Sequence, residues 1–328
     1  MKILIATQKP FAKAAVDGIR EIVEAQGHQL CLLEKYEGQD ALVAAVNDAD
    51  ALIVRSDKVS SEVIEADPKL KIVVRAGAGY DNLDLEACTA HGVVAMNTPG
   101  QNANAVAELV IALMIYMSRN RFTPGTGSEI LGKRLGLQAY GNVGRLVATK
   151  AKALGMSVMA FDPFVPAEKM VAEGVEAAQS LEQLYSSCDF VSIHIPATPQ
   201  TIGSIKASLV GLMPKGGCLV NTARKEVIDE ASLLDLLKMR GDLKYVADVA
   251  PVAAEEFAAA LGNRYFATPK KMGAETAEAN VNAGLAAARQ IVAYFATGCE
   301  KYRLNKKLMN QNLMKKIWNR SQKTHILK

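Results

Sequence analysis

A chain of 328 residues, half of them hydrophobic, is long enough to bury the cores of two domains. The net charge of +4 rests on the last 22 residues, which hold six Lys or Arg and no acid; the rest of the chain stands at four less six, or −2. The pI of 8.7 therefore marks no basic face, which argues against a nucleic-acid partner. Five scattered cysteines with no C-x-x-C pair, and no run of eighteen apolar residues, argue against a disulfide framework, a zinc site and a membrane span. The opening MKILIATQKPF has no cleavage-site pattern, and a cytoplasmic protein is expected.

Short β-branched runs alternate with helical patterns from end to end. KILIAT (2–7), ALIVRS (51–56), KIVVRAG (71–77) and GVVAMN (92–97) read as buried parallel strands. AKAAVDGIREIVEAQG, between the first two, has apolar residues at helical spacing and a glycine stop. NANAVAELVIALMIYMSRNRF (102–122) predicts a long apolar helix, and TPGTGSEILGK (123–133) a connector. A second series follows, with strands ending in RLGLQAYG, SVMAFD, FVSIHIP, CLVNTAR, YVADV and YFATP. An Ala-rich helix after Lys271, AETAEANVNAGLAAARQIVAYFATG, completes the pattern. Strands alternating with helices in this way predict an α/β protein.

LGLQAYGNVGRLVATKAKALGMSVMAFD (135–162) runs strand, glycine turn, helix, strand, acidic residue, the order of a dinucleotide-binding unit. The turn reads Ala139-x-Gly141-x-x-Gly144, with alanine where the first glycine of the fingerprint belongs. Gly141 lets the backbone approach a pyrophosphate, Gly144 lets the helix pack on the strand, and the helix N-terminus supplies unpaired N–H groups. Asp162 suits a pair of ribose hydroxyls, and no Arg or Lys directly follows it, which favours NAD over NADP. Ala139 matters little at negative φ and more if it must turn left-handed.

In GGCLVNTARKEVIDEASLLDLL (216–237), Arg224 stands just beyond an apolar strand, where it can hold a carboxylate bidentately and polarise a carbonyl. The alternative is a surface pair with Asp229 or Glu230. In RYFATPKKMGAETAEAN (264–280) a Thr-Pro turn leads to Lys270 and Lys271, then to glycine and a helix.

RAGAGYDNLDLEACTAHGVVAMNTPG, NAVAELVIALM, LGLQAYGNVGR, HIPATPQT, LVNTARKEVIDEASL and TPKKMGAETAEAN resemble, in order and spacing, the D-2-hydroxyacid dehydrogenases over about residues 1–306. Within that family the chain is most similar to the short phosphoglycerate dehydrogenases that lack a C-terminal regulatory domain. The resemblance implies two Rossmann-like doubly wound domains, with the nucleotide-binding domain inserted in a flavodoxin-like substrate domain. The expected divisions are a substrate domain at 1–98, the NAD domain at 99–273, a returning helix at 274–306 and a basic tail at 307–328. It implies Arg224 as the residue that binds and polarises the substrate, and Asp162 at the adenine ribose. Tyr140, Gly141, Asn142, Val143 and Gly144 fall at the pyrophosphate turn, Ile195 and Pro196 beside the adenosine, and Thr222, Ala223 and Asp248 on the nicotinamide side. The backbone of Gly77, Ala78 and Gly79 is expected to meet the substrate carboxylate, and Asn102 to make a polar contact. Arg55 and Ser56 fall where phosphoglycerate-specific members hold the phosphate. The residues themselves suit a dianion there, with Lys58 close by, although Arg55 and Lys58 also read as solvated strand-end charges.

Two positions depart from the family, which has a Glu hydrogen-bonded to a catalytic His. Ala253 stands in the first place and Lys270 in the second. His28, His91, His194 and His325 all lie elsewhere, and none is expected to be catalytic. A lysine base needs a lowered pKa, which a neighbouring carboxylate opposes, so loss of the Glu and gain of the Lys agree with each other. TPKKMGA also resembles the signature of a Lys-for-His subgroup of the short enzymes. The expected reaction is NAD-dependent oxidation of D-3-phosphoglycerate, with Lys270, or else Lys271, as acid/base and closure about linkers near 98 and 276 excluding water. A hydroxypyruvate- or glyoxylate-type reductase and a non-catalytic NAD-binding protein are the rivals. A homodimer is expected. In the tail, Leu313, Met314, Ile317 and Trp318 fall on one face of a possible short helix or belong to a frayed extension.

Overall fold

The computed structural model describes residues 1–306, so the tail and its expected helix lie outside the described residues. The described chain divides into two units: Met1–Gln101 with residues 280–306, and Asn102–Ala279. The divisions fall at 101/102 and 279/280, where the sequence reading put them at 98/99 and 273/274. The long helix Ala103–Ser118 starts only after Asn102, and the chain after Gly273 stays bonded within the second unit, Glu275 N–H to Met272 O and Ala279 N–H to Thr276 Oγ1.

The first unit holds five parallel strands: β1 (Lys2–Thr7), β2 (Gln29–Glu34), β3 (Ala51–Val54), β4 (Ile72–Arg75) and β5 (Val94–Asn97). Their order is β2-β1-β3-β4-β5, the flavodoxin-like winding. Alternate residues feed two cores. Ile3 and Ile5 pack with Ile19, Ile53, Val74 and Ala287, while Leu4 and Ala6 pack with Leu42, Leu52, Val63 and Val73. β2 was not among the strands expected from the sequence. It is an edge strand in which only Leu30 is buried, so it shows no continuous apolar run.

The second unit holds β6 (Arg134–Gln138), β7 (Ser157–Phe161), β8 (Glu176–Ala177), β9 (Phe190–Ile193), β10 (Cys218–Asn221), β11 (Lys244–Ala247) and β12 (Tyr265–Ala267). The order β8-β7-β6-β9-β10-β11-β12 is that of a dinucleotide-binding sheet extended by one strand. Its faces are also both buried: Val191, Ile193, Leu219 and Tyr245 on one side, Leu135, Leu137, Val220 and Val246 on the other. β8 is a two-residue edge strand, too short for any pattern to announce. Among the described residues no helix is long and apolar enough to cross a membrane.

In each sheet the strand order reverses once, between β1 and β3 and between β6 and β9. A crevice opens beyond the strands' carboxyl ends at such a reversal, because the helices on either side leave in opposite directions.

Candidate active site

At the second sheet's reversal, β6 runs into the turn 139–144 and the helix Asn142–Ala153. Ala139 takes φ 82°, the left-handed region, so the alanine sits where glycine is at ease. Its carbonyl oxygen lies 2.5 Å from the place a Cβ on Gly144 would occupy, so Gly144 is fixed by close packing of helix on strand. Gly141 differs. Its φ is −83°, and no protein atom lies within 4 Å of a Cβ built on it. Packing inside the protein therefore does not require a glycine there. The N–H groups of Asn142, Val143 and Gly144 precede the helix's first bond, Arg145 N–H to Gly141 O.

The Ala139 strain is open to test. Ala139→Gly relieves about 1–2 kcal/mol of left-handed strain and gives back about 0.5–1 kcal/mol in chain entropy. The expected result is a melting temperature higher by about 1–2 °C; a lower one would show that the alanine is not strained.

Tyr140, expected at the cofactor, offers it little. The side chain is 1% exposed, its hydroxyl donates to Glu173 (2.8 Å), and its N–H donates to Asp162 Oδ2 (2.8 Å). Burial first, and then the bond to Glu173, pushes its hydroxyl up to about 12. Asp162, half-buried beyond β7, is held by that bond and by the Phe164 N–H at 2.8 Å, so its carboxylate is fixed beside the glycine turn. Beyond β9, Ile195 is half-buried and Pro196 exposed. His194 beside them is half-buried; desolvation of its ring lowers its pKa to about 4, and its buried Nε2 has no partner.

Beyond β10 the Asn221 side chain braces the turn that carries Arg224. Its Oδ1 accepts the Ala223 N–H (3.0 Å) and its Nδ2 donates to Arg224 O (2.9 Å). Arg224 is half-buried, and its Nη1 donates to Ala223 O. The surface pairing weighed for it does not form. Asp229 caps the helix Glu230–Met239, and Glu230 accepts the N–H groups of Val252 (2.9 Å) and Ala253 (3.0 Å). Thr222 is buried with its hydroxyl unpartnered.

Asp248, expected to line the nicotinamide, is wholly buried, and its carboxylate is committed within the protein. It accepts the N–H of Met272 and of Gly273 at 2.8 Å each, and the Thr268 hydroxyl at 3.1 Å. Those bonds pin the loop 268–273 at both ends. A Cβ on Gly273 would meet Asp248 Oδ2 at 2.7 Å, so the glycine belongs to the same clamp. Lys270 and Lys271 stand on this loop, both exposed.

In the first unit Arg55 follows β3 at the sheet's reversal. Its guanidinium donates to Lys9 O (3.0 Å), Pro10 O (3.2 Å) and Asn280 Oδ1 (2.5 Å), and lies 5.3 Å from the centre of the Phe11 ring. Ser56 and Lys58 are exposed beside it. Buried Asp57 ties the two strand ends together by accepting Gln8 N–H (2.7 Å), Tyr36 hydroxyl (2.9 Å) and Arg55 N–H (3.3 Å). Arg75, absent from the expected residues, ends the neighbouring strand β4 in register with Val54 and donates from Nε to Arg55 O (2.9 Å). It also explains Gly77, where a Cβ would fall 1.5 Å from Arg75 Nη1. The parallel endings LIVRS and VVRAG were the signal for it. Ala78 O accepts Asn97 Nδ2 (2.6 Å), which sets the 77–79 loop; Gly79 is half-buried. Asn102 starts the helix Ala103–Ser118 without a side-chain cap.

A glycine turn aimed at a dinucleotide, with an arginine and a lysine-bearing loop on later strands of the same sheet, defines an NAD-binding dehydrogenase domain. Residues 105–268 match the family model of the D-isomer specific 2-hydroxyacid dehydrogenase, NAD binding domain, and the chain belongs to that family. A solved NAD+-bound 3-phosphoglycerate dehydrogenase from Entamoeba histolytica is 46% identical, with a TM-score of 0.84, over 94% of this chain and 99% of that one. The D-3-phosphoglycerate dehydrogenase of Methanocaldococcus jannaschii is 36% identical over 272 residues, 77% of this chain and 51% of that protein. That of Mycobacterium tuberculosis is 40% identical over 213 residues, 61% of this chain and 40% of that protein. The chain thus spans about half of the first of these longer relatives and 40% of the second. A hydroxypyruvate reductase of Thermotoga maritima is 37% identical over 265 residues, 75% of this chain and 85% of that protein.

Proposed function

We propose that the chain oxidises D-3-phosphoglycerate with NAD to 3-phosphohydroxypyruvate, the first step of serine biosynthesis. In the second unit Arg224 holds and polarises the substrate, and the neutral Lys270 amine takes the C2 hydroxyl proton. NAD supplies the acceptor for the C2 hydride. In reverse, the Lys270 ammonium returns the proton to the keto oxygen while Arg224 steadies the developing charge. In the first unit the 77–79 backbone meets the carboxylate, and Arg55 with Ser56 meets the phosphate. Asn102 adds a polar contact. In the cofactor's binding, Asn142, Val143 and Gly144 present N–H groups to the pyrophosphate, Gly141 allows its approach, and Asp162 takes the ribose. Ile195 and Pro196 flank the adenosine, and Thr222 and Ala223 lie toward the nicotinamide. A cytoplasmic homodimer belongs to the same reading; sedimentation of the purified chain tests the dimer.

The observation that carries the phosphate assignment is Arg55 at the reversal of the first sheet, with an exposed hydroxyl and ammonium on the same strand end. A second reading, reduction of hydroxypyruvate, is favoured by the Thermotoga relative and by the three acceptors already on the Arg55 guanidinium. NADH consumption with 3-phosphohydroxypyruvate, hydroxypyruvate and glyoxylate separates the two. Arg55→Ala is expected to raise KM for the phosphorylated acid by about 10- to 100-fold, the worth of one or two charged hydrogen bonds, with little change for hydroxypyruvate. Equal rises for both acids would remove the phosphate site from the reading.

A further inference from the structure

We propose that Glu173, outside the glycine motif, is the positioning residue that holds the dinucleotide turn in its binding shape. The inference rests on the reading of residues 141–144 as the pyrophosphate turn. The N–H groups of Asn142, Val143 and Gly144 serve an anion only if they converge, and their direction is set by the residues on either side. Glu173 takes both. Its Oε2 accepts the Tyr140 hydroxyl at 2.8 Å, and its Oε1 pairs with the Arg145 guanidinium. The guanidinium in turn lies 4.6 Å from the centre of the Tyr140 ring, which joins the two flanks directly.

Glu173 is itself anchored. Its N–H donates to Met170 O (3.1 Å), and its carbonyl accepts Lys152 Nζ from the end of the helix that the turn begins. The Tyr140 hydroxyl first, and then the Arg145 guanidinium, holds the Glu173 carboxyl below its ordinary range. An exposed ion pair alone contributes little, and the Glu173 side chain is 37% exposed. Tyr140 makes the difference, because it is buried and directly precedes Gly141. The turn also needs outside support, since Ala139 enters it with a left-handed φ of 82°.

Fluorescence titration of NADH onto the full chain tests this without turnover. Glu173→Ala is expected to weaken NADH binding about tenfold, and Glu173→Gln less, because the amide keeps an acceptor for Tyr140. Tyr140→Phe, which removes one oxygen from a folded core, should weaken it by a smaller factor, and the Tyr140→Phe/Glu173→Ala double variant should bind no worse than Glu173→Ala alone. At saturating NADH the keto-acid KM should stay within about twofold of the unaltered chain, because the brace acts on the cofactor turn. Unchanged NADH affinity in Glu173→Ala and in Tyr140→Phe, even with a lowered melting temperature, would overturn the proposal and leave a stability brace. Failure of the unaltered chain to bind NADH would instead overturn the reading of the turn itself.

Discussion

Replacing Lys270 by alanine is expected to lower kcat by about two to four orders of magnitude while NADH affinity stays near that of the unaltered chain. The change removes the only side chain this reading gives to the C2 proton, and it touches neither the glycine turn nor Asp162. Because Lys270 is exposed, truncating it opens no cavity, and the melting temperature should hold. Lys271→Ala serves as the comparison. If Lys271→Ala loses the turnover and Lys270→Ala keeps it, the proton belongs to the second lysine. If both keep it, neither amine is the base.

Asp248→Asn is expected to have nearly as large an effect through a different cause. The carboxylate accepts two loop N–H groups, one on each oxygen. An asparagine turns one of those acceptors into an NH2 that faces a donor. A buried N–H left without a partner costs about 1–3 kcal/mol, and the loop must move to relieve it. A displacement of about 1 Å at a reacting group is worth about 100-fold in rate, so kcat should fall by that order. Gly273→Ala should reproduce much of the effect, since its Cβ would press on Asp248 Oδ2. Hydrogen exchange at residues 268–273 gives the separate readout: faster exchange in Asp248→Asn with the sheet unchanged. If kcat in Asp248→Asn stays within about twofold, the loop's position does not limit the reaction.

The strands legible in the sequence were those buried on both faces, because a doubly covered strand must be apolar at consecutive positions. β2 and β8 escaped for the same reason inverted: as edge strands they carry no continuous apolar run. The placement of Gly141 and Gly144 at the turn and of Asp162 beyond the next strand was readable because the fingerprint's spacing follows from one strand, one turn and one helix. Whether Ala139 was strained was not readable, since φ depends on how the helix Asn142–Ala153 packs back on β6.

Asp248 shows the limit most clearly. Its identity and its place after YVA follow from the sequence, but the direction of its carboxylate does not. Only the pairing of β11 with β12 brings Met272 and Gly273 over it, and that turns an expected cofactor neighbour into the clamp of the lysine loop. Glu173 and Arg75 follow the same rule, each acting on a residue that the chain's path brings beside it. The sequence by itself determined the parallel α/β class, the dinucleotide turn, and Arg224, Lys270 and Arg55 as the groups to weigh, because local spacing and residue chemistry suffice for those. The tertiary structure alone decided which carboxylates remain free and which are consumed in holding loops, because a hydrogen bond between distant residues is set by the fold and leaves no periodic mark along the chain.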